Sequence, residues 1–269
     1  MLVGRSPRYV IHSLELLGCD PAVLGPVAQA CQAVEDRVWH AHEDFRSYLE
    51  KQTALFYAVD GTGETVAFAC FDLTLREDTL VLAVNECMVV PEHQGQGLPN
   101  LFLALLISHL RFHWRSAGKR RRYKQVVAVS MTVNYKLMMG FKRYSFLTQS
   151  NPYRPCDEIR EIAREYLADE GLEPVEAGNP FFAKAAFPGA LKNHPAVRRP
   201  EGIPADFQPE RGDAFLYVGK VSSFWALGLM AWLVQRSYGF KAVLRVHPFK
   251  RLKVRTCRDQ RPVPYTKEG

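Results

Sequence analysis

Residues 89–99, Val89-Val90-Pro91-Glu92-His93-Gln94-Gly95-Gln96-Gly97-Leu98-Pro99, read as the end of a strand, a polar turn and the head of a helix. The two valines close an apolar run, and Gly95 and Gly97 remove side chains from the turn, so the backbone can approach a ligand closely. The next stretch, LPNLFLALLISHLRFHWR, has no charged residue before Arg111, and Pro99 suits a first helical turn, where a missing N–H costs little. A helix start carries unpaired N–H groups and partial positive charge, so strand, glycine turn and helix together make an anion site with a pyrophosphate as its natural occupant. The same three parts also serve as a tight connection with no ligand.

Upstream of this turn, residues 8–17 predict a strand, Pro21 opens a helix to about Trp39, and 43–51 predict a short second helix. TALFYAV, ETVAFACFDLTL and TLVLAVNECMVV follow as three strands, the first two joined by the turn Asp60-Gly61-Thr62-Gly63. Downstream, the helix at 98–115 lacks a polar face, which predicts burial on two sides. QVVAVSMTV (125–133) reads as a strand and NYKLMMGF (134–141) as a short helix. Beyond Asn151 the pattern predicts an amphipathic helix over 157–170, an irregular connection over 171–212, a strand at AFLYVGK, a helix over 221–235 and a last strand at FKAVLRVHPF. The uncharged run Val221 to Val234 holds 14 residues, short of the roughly 20 that span a bilayer. It predicts a buried helix packed on the apolar helix at 98–110. The alternative is an interfacial anchor, with Trp225, Trp232 and the basic tail at a headgroup layer.

At 269 residues and 47% hydrophobic composition, the chain must bury at least one full core. Its formal charge of +7 is local, since residues 240–269 hold nine basic and two acidic residues and the rest is neutral. No apolar h-region follows Arg5 and Arg8, so a cytoplasmic location is the expectation. The six cysteines are scattered without a C-x-x-C pair, which argues for buried thiols over a zinc or dithiol centre. His109 and His113 lie four apart on a helix but lack the Glu of a metalloprotease motif, so no metal site is expected.

Two kinds of pyrophosphate binder compete. A dinucleotide site wants G-x-G-x-x-G and an acidic residue about 20 positions on; Gly95 to Asn100 lacks the third glycine, and 115–130 contain no Asp or Glu. Arg115 and the basic cluster 119–124 keep an NADP reading as the third choice. The element order and the turn together resemble the GNAT superfamily of acyl-CoA-dependent N-acyltransferases. Its Q/R-x-x-G-x-G/A signature, commonly preceded by V-x-P-E, is met at Val89, Pro91, Glu92, Gln94 and Gly97, with Pro99 where a small residue is usual. Its later N-x-x…G-F segment is echoed by Asn134 to Phe141, and the resemblance covers about residues 8–148.

The resemblance implies an α/β fold of the α+β type: a mixed, mostly antiparallel central sheet flanked by helices, over residues 1–150. Residues 151–269 would form a C-terminal α/β extension that completes the substrate pocket, with a basic tail at 248–269. It further implies that Gln94, Gly95, Gln96, Gly97 and Leu98 hold the CoA pyrophosphate. The strand from Glu86 to Val90 would splay from its neighbour, so that Met88, Val89 and Val90 face the pantetheine, with Asn134 nearby. Glu86 is the candidate base. Lys136 stands where a general-acid Tyr is common, which leaves Tyr135 and Tyr144 as candidate phenols. The implied reaction moves an acetyl or longer acyl group from CoA to an unidentified amine. The 119–124 cluster reads as a solvated loop with a phosphate contribution, the alternative being a dock for the adenosine 3′-phosphate or an acidic carrier protein. The alternative function is a non-catalytic GNAT-fold protein whose basic tail contacts nucleic acid or a membrane surface.

Overall fold

The computed structural model describes residues 9–39, 44–76, 78–116, 125–133, 148–150, 156–187, 203–221, 228–229, 231–232, 242–244 and 255–256. The predicted N-terminal order is observed: β1 (Tyr9–Glu15), α1 (Pro21–Val38), α2 (Phe45–Glu50), β2 (Ala54–Asp60), β3 (Thr65–Arg76) and β4 (Thr79–Val89). A short 3-10 turn, Pro91–His93, leads to α3 (Leu98–Ser116), and β5 (Gln125–Thr132) follows. Asp20 caps α1 by accepting from the Ala22 N–H at 2.9 Å, with Pro21 in its first turn. Asp44 caps α2 in the same way, through the Ser47 N–H at 3.3 Å.

The later elements are β6 (Thr148–Ser150), α4 (Asp157–Asp169), β7 (Pro174–Glu176), β8 (Asn179–Ala183), β9 (Ala214–Val221), β10 (Ala242–Leu244) and β11 (Arg255–Thr256). These strands join one mixed sheet in the order β10-β1-β2-β3-β4-β5-β9-β8-β7, with β11 beside β3 and β6 beside β9. Most ladders are antiparallel, and β4 with β5 is parallel because α3 crosses over between them. Residues 171–212, expected to be irregular, contain the β7–β8 hairpin instead. Its strands are short and each carries a proline, which hides the period, but Gly178 takes φ +83 at the tight turn and Phe181 and Phe182 are buried.

Aromatic contacts show which helix covers which face. Phe102 of α3 stacks on Phe56 of β2 at 6.4 Å, whereas Phe45 of α2 meets Phe68 of β3 edge-on at 5.0 Å. Phe56 and Phe68 point to opposite faces, since Phe56 opposes Ala69, the residue after Phe68. Thus α3 covers one face, and α1 with α2 cover the other. Leu101, Phe102, Leu105 and Leu106 of α3 bury into this core. On another side of the helix, Ala104 and Ile107 pack against Ala231, as predicted for the apolar segment at 221–235. A second core lies under α4, where Ile159, Ala163 and Leu167 meet Phe181, Phe182, Phe207 and Phe215.

Candidate functional site

The site begins where β4 leaves β5. The parallel ladder runs from Thr79↔Gln125 to Val84↔Ser130 and ends there, although β4 continues to Val89 and stays paired with β3. Opposite this point β4 carries a bulge: Phe71 faces Val84 and Cys70 faces Glu86, so Asn85 is the extra residue. Asn85 donates through Nδ2 to Gln52 Oε1 at 2.6 Å, and Gln52 is buried at the end of α2. A bulge increases local twist, and the outer half of β4 turns away from β5 to leave an open wedge. The sequence carries a signal for this, because Asn85 and Glu86 are consecutive polar residues inside an otherwise apolar run.

Ladder alternation fixes which main-chain groups enter the wedge. Val90 donates its N–H to Val66 O at 3.0 Å, so residues 90, 88 and 86 direct their peptide groups at β3. Cys87 and Val89 therefore direct theirs away from β3, toward the wedge. The Met88 and Val90 N–H groups point at β3 and not at the opening. In side chains the order is reversed: Glu86 and Met88 lie on the face covered by α1 and α2, and Cys87 and Val89 lie under α3.

The glycine turn stands at the wide end of the wedge. Gly95 and Gly97 both take φ +74, a left-handed conformation that an L side chain disfavours. Gln94 is more engaged than expected, since its N–H donates to Pro91 O at 3.2 Å and its Nε2 donates to Val89 O at 3.1 Å. Gln94 thus shapes the turn, and the candidate anion cradle is the backbone from Gly95 to Leu98 at the head of α3. The short turn before it is tied down by Glu92, which accepts from Arg37 at 2.9 Å, and Arg37 also reaches Glu64 at 2.6 Å.

Under α1, acidic and thiol groups gather around Glu86. Cys70 opposes Glu86 in the ladder, and Cys31 and Glu35, one helical turn apart, face the sheet from α1 with 0% and 2% exposure. Glu35 accepts from Gln32 Nε2 at 2.9 Å. Burial, followed by the charge of Glu86, pushes the Cys87 thiol up to about 12 and moves Cys31 and Cys70 upward as well. Both effects favour the neutral thiol of Cys87, which is half-buried and not, as the sequence predicts, fully buried. Glu35 was not anticipated as a site residue; a lone acidic residue in the apolar stripe of α1 was its only signal.

One turn beyond Glu35, Trp39 packs with Val133 and Ala214, and Met88, Met131, Ala186 and Phe187 pack against them. The Trp39 and Phe187 rings meet edge-on at 5.7 Å. Residues from α1, β4, β5 and the C-terminal half thus form an apolar wall where the wedge opens. Asp213, 5% exposed, holds that half in place by accepting from the Ala185 N–H at 2.9 Å and the Gln208 N–H at 2.7 Å. Asn134, Tyr135, Lys136 and Tyr144, the 119–124 cluster and the His113 side chain lie outside the described residues. So does the basic tail, apart from Arg255 and Thr256, which pair with Thr74 and Leu75 of β3.

The chain matches no protein-family model and no curated protein. Among solved structures it is similar to the ribosomal-protein-S18-alanine N-acetyltransferase of Escherichia coli, at 14% identity and TM-score 0.42 over 80% of this chain and 95% of that one. It is also similar to an aminoglycoside N-acetyltransferase in complex with CoA, at 14% identity and TM-score 0.36 over 54% of this chain and 90% of that one. A third is a GNAT-family N-acetyltransferase from Escherichia coli in complex with CoA, at 17% identity and TM-score 0.33 over 46% and 63% of the two chains. The structural neighbours are GNAT N-acetyltransferases. In this chain the turn, the wedge and Glu86 lie along a single strand, β4, and its exit. Among the described residues no helix is long and apolar enough to cross a membrane.

Proposed function

We propose that this chain is an acyl-CoA-dependent N-acyltransferase that uses direct attack by an amine on the thioester. The observation that carries this reading is the departure of β4 from β5 after Val84, which turns the Cys87 and Val89 peptide groups toward an open wedge beside the glycine turn. A cosubstrate with a pyrophosphate at one end and two amides in its arm fits these parts. The N–H groups from Gly95 to Leu98 would take the pyrophosphate, and Cys87 and Val89 would pair with the arm as a missing strand would. An N–H on the same edge is placed to stabilise the thioester oxygen as it gains charge.

Glu86 is the base in this reading. It sits beside the bulge, on the face covered by α1 and α2, where an acceptor amine can approach the wedge from the side opposite α3. The incoming ammonium gives a proton to the Glu86 carboxylate, directly or through a water, and the neutral amine attacks the acyl carbon. The C–N bond forms, the C–S bond breaks, the attacking nitrogen gives up its second proton to solvent as the amide forms, and the departing thiolate takes a proton; Tyr135 and Tyr144 remain the candidate donors. Trp39, Met88, Met131 and Phe187 would line the acceptor side, which assigns acceptor choice in part to the C-terminal half.

Calorimetry with CoA tests the cosubstrate. The expected result is saturable binding that is lost in Gly97→Trp; no binding, or binding unchanged in that variant, would sink the proposal. The base is tested apart from it. Glu86→Gln should abolish the acid limb of the pH–rate profile, and a profile identical to that of the parent removes Glu86 from the role.

A further inference from the structure

The glycine turn is flexible by composition, yet a side-chain clamp fixes the chain that enters it. Tyr9 and Asp60 are direct cross-strand neighbours on β1 and β2, on the face that α3 covers. The His93 ring lies over both. Its Nδ1 is 2.9 Å from the Tyr9 hydroxyl, its Nε2 is 4.0 Å from Asp60 Oδ2, and the two rings meet edge-on with centroids 5.6 Å apart. Tyr9 is only 2% exposed.

Asp60 is held independently of the histidine. Its Oδ1 accepts from the Thr62 N–H at 2.9 Å, the Thr62 hydroxyl at 2.6 Å and the Glu64 N–H at 3.1 Å. Those bonds, with the Thr62 hydroxyl first, keep its carboxyl below the usual carboxylate range, so Asp60 presents a fixed negative charge. The consistent tautomer has the Tyr9 O–H donating to Nδ1 and the Nε2–H facing Asp60. At 4.0 Å this second contact is electrostatic, because it exceeds hydrogen-bond distance.

We infer that His93, clamped between Tyr9 and Asp60, is a positioning residue for the anion cradle from Gly95 to Leu98. The inference rests on the acyl-CoA reading and deepens it. Two glycines with positive φ leave a turn many conformations, and a ligand that had to select one would bind more weakly by the cost of ordering. His93 is two residues before Gly95, and Glu92 beside it is fastened to Arg37. The chain therefore enters the cradle from a fixed point and direction, with its N–H groups aimed before the ligand arrives. A histidine that merely satisfied a buried tyrosine would have no effect on the ligand.

The test uses the full chain, CoA as the probe, and three variants: His93→Leu, Tyr9→Phe and His93→Asn. Asn places an acceptor near the Nδ1 position and keeps the Tyr9 bond. His93→Leu and Tyr9→Phe should each raise the CoA Kd about tenfold, and the double variant no further than either alone. His93→Asn should stay within about twofold of the parent. In turnover, KM for acyl-CoA should rise in His93→Leu while kcat holds. Folded His93→Leu and Tyr9→Phe proteins with the parental Kd would overturn the positioning role and leave the acyl-CoA reading intact. A parent chain that does not bind CoA overturns both. Should Tyr9→Phe fail to fold, the comparison of His93→Leu with His93→Asn decides alone: equal Kd values refute the clamp.

Discussion

Gly95 separates ligand binding from folding more cleanly than any other position in the turn. It takes φ +74, and a Cβ built there would have no atom within 4 Å. Gly95→Ala therefore costs the left-handed backbone conformation and nothing in packing, about 1–2 kcal/mol. For a chain of this size that corresponds to a fall in Tm of roughly 2–4 °C. In the bound state the methyl group would stand in the open space before the cradle, so CoA affinity should fall at least about tenfold, or about 1.4 kcal/mol. Gly178 supplies the control, with φ +83, no atom within 4 Å of its built Cβ, and a place in the β7–β8 hairpin away from the turn. Gly178→Ala should lose similar stability and leave CoA binding unchanged. The assay is thermal unfolding paired with calorimetry on both variants. If Gly95→Ala lowers Tm as Gly178→Ala does but keeps the parental Kd, no ligand occupies the space in front of Gly95 and the cradle is a simple connection.

Three further outcomes follow from the geometry. Deleting Asn85 should restore a regular β3–β4 ladder and close the wedge, so CoA binding is lost while a folded, cooperative transition survives; binding at parental strength would show that the bulge does not hold the wedge open. Gly212→Ala should destabilise by about 3 kcal/mol or more, since Gly212 takes φ +87 and its built Cβ falls 1.6 Å from the Phe187 carbonyl oxygen; an unchanged urea midpoint would refute this. The raised thiols set an alkaline limit. Because the folded-state pKa of Cys87 is raised from 9.0 to about 12, the folded state keeps a proton that the unfolded chain releases, so its contribution is whole below pH 9 and is lost as pH rises toward 12. Unfolding midpoints measured from pH 8 upward should fall over this window, less steeply in Cys87→Ala, and equal slopes would contradict the assignment.

The N-terminal half was legible because its signals are local. Asp20 and Pro21 mark the start of α1, the Asp60 to Gly63 turn joins β2 to β3, and the uncharged face of α3 implies two buried sides, one of which meets Ala231. The β7–β8 hairpin was not legible, since each strand is too short to show a period of two and a proline interrupts it. The resemblance makes Gln94 a ligand contact. Its bonds to Pro91 O and Val89 O are decided by how the chain folds back on the end of β4.

By itself the sequence determined the strand–turn–helix unit at 89–99, because glycine, proline and hydrophobic period act over a few neighbours, whereas Glu86 became a candidate through the family resemblance. Only the tertiary structure decided that β5 leaves β4 at Val84, that Asn85 is the bulge, and that Cys87 and Val89 rather than Met88 face the wedge. Ladder register depends on the partner strand, and a one-residue bulge changes which edge every later peptide group faces. Tertiary structure also brought Trp39 to Phe187 and His93 to Tyr9 and Asp60, pairs whose members lie far apart in the chain and meet only because the sheet places their elements side by side.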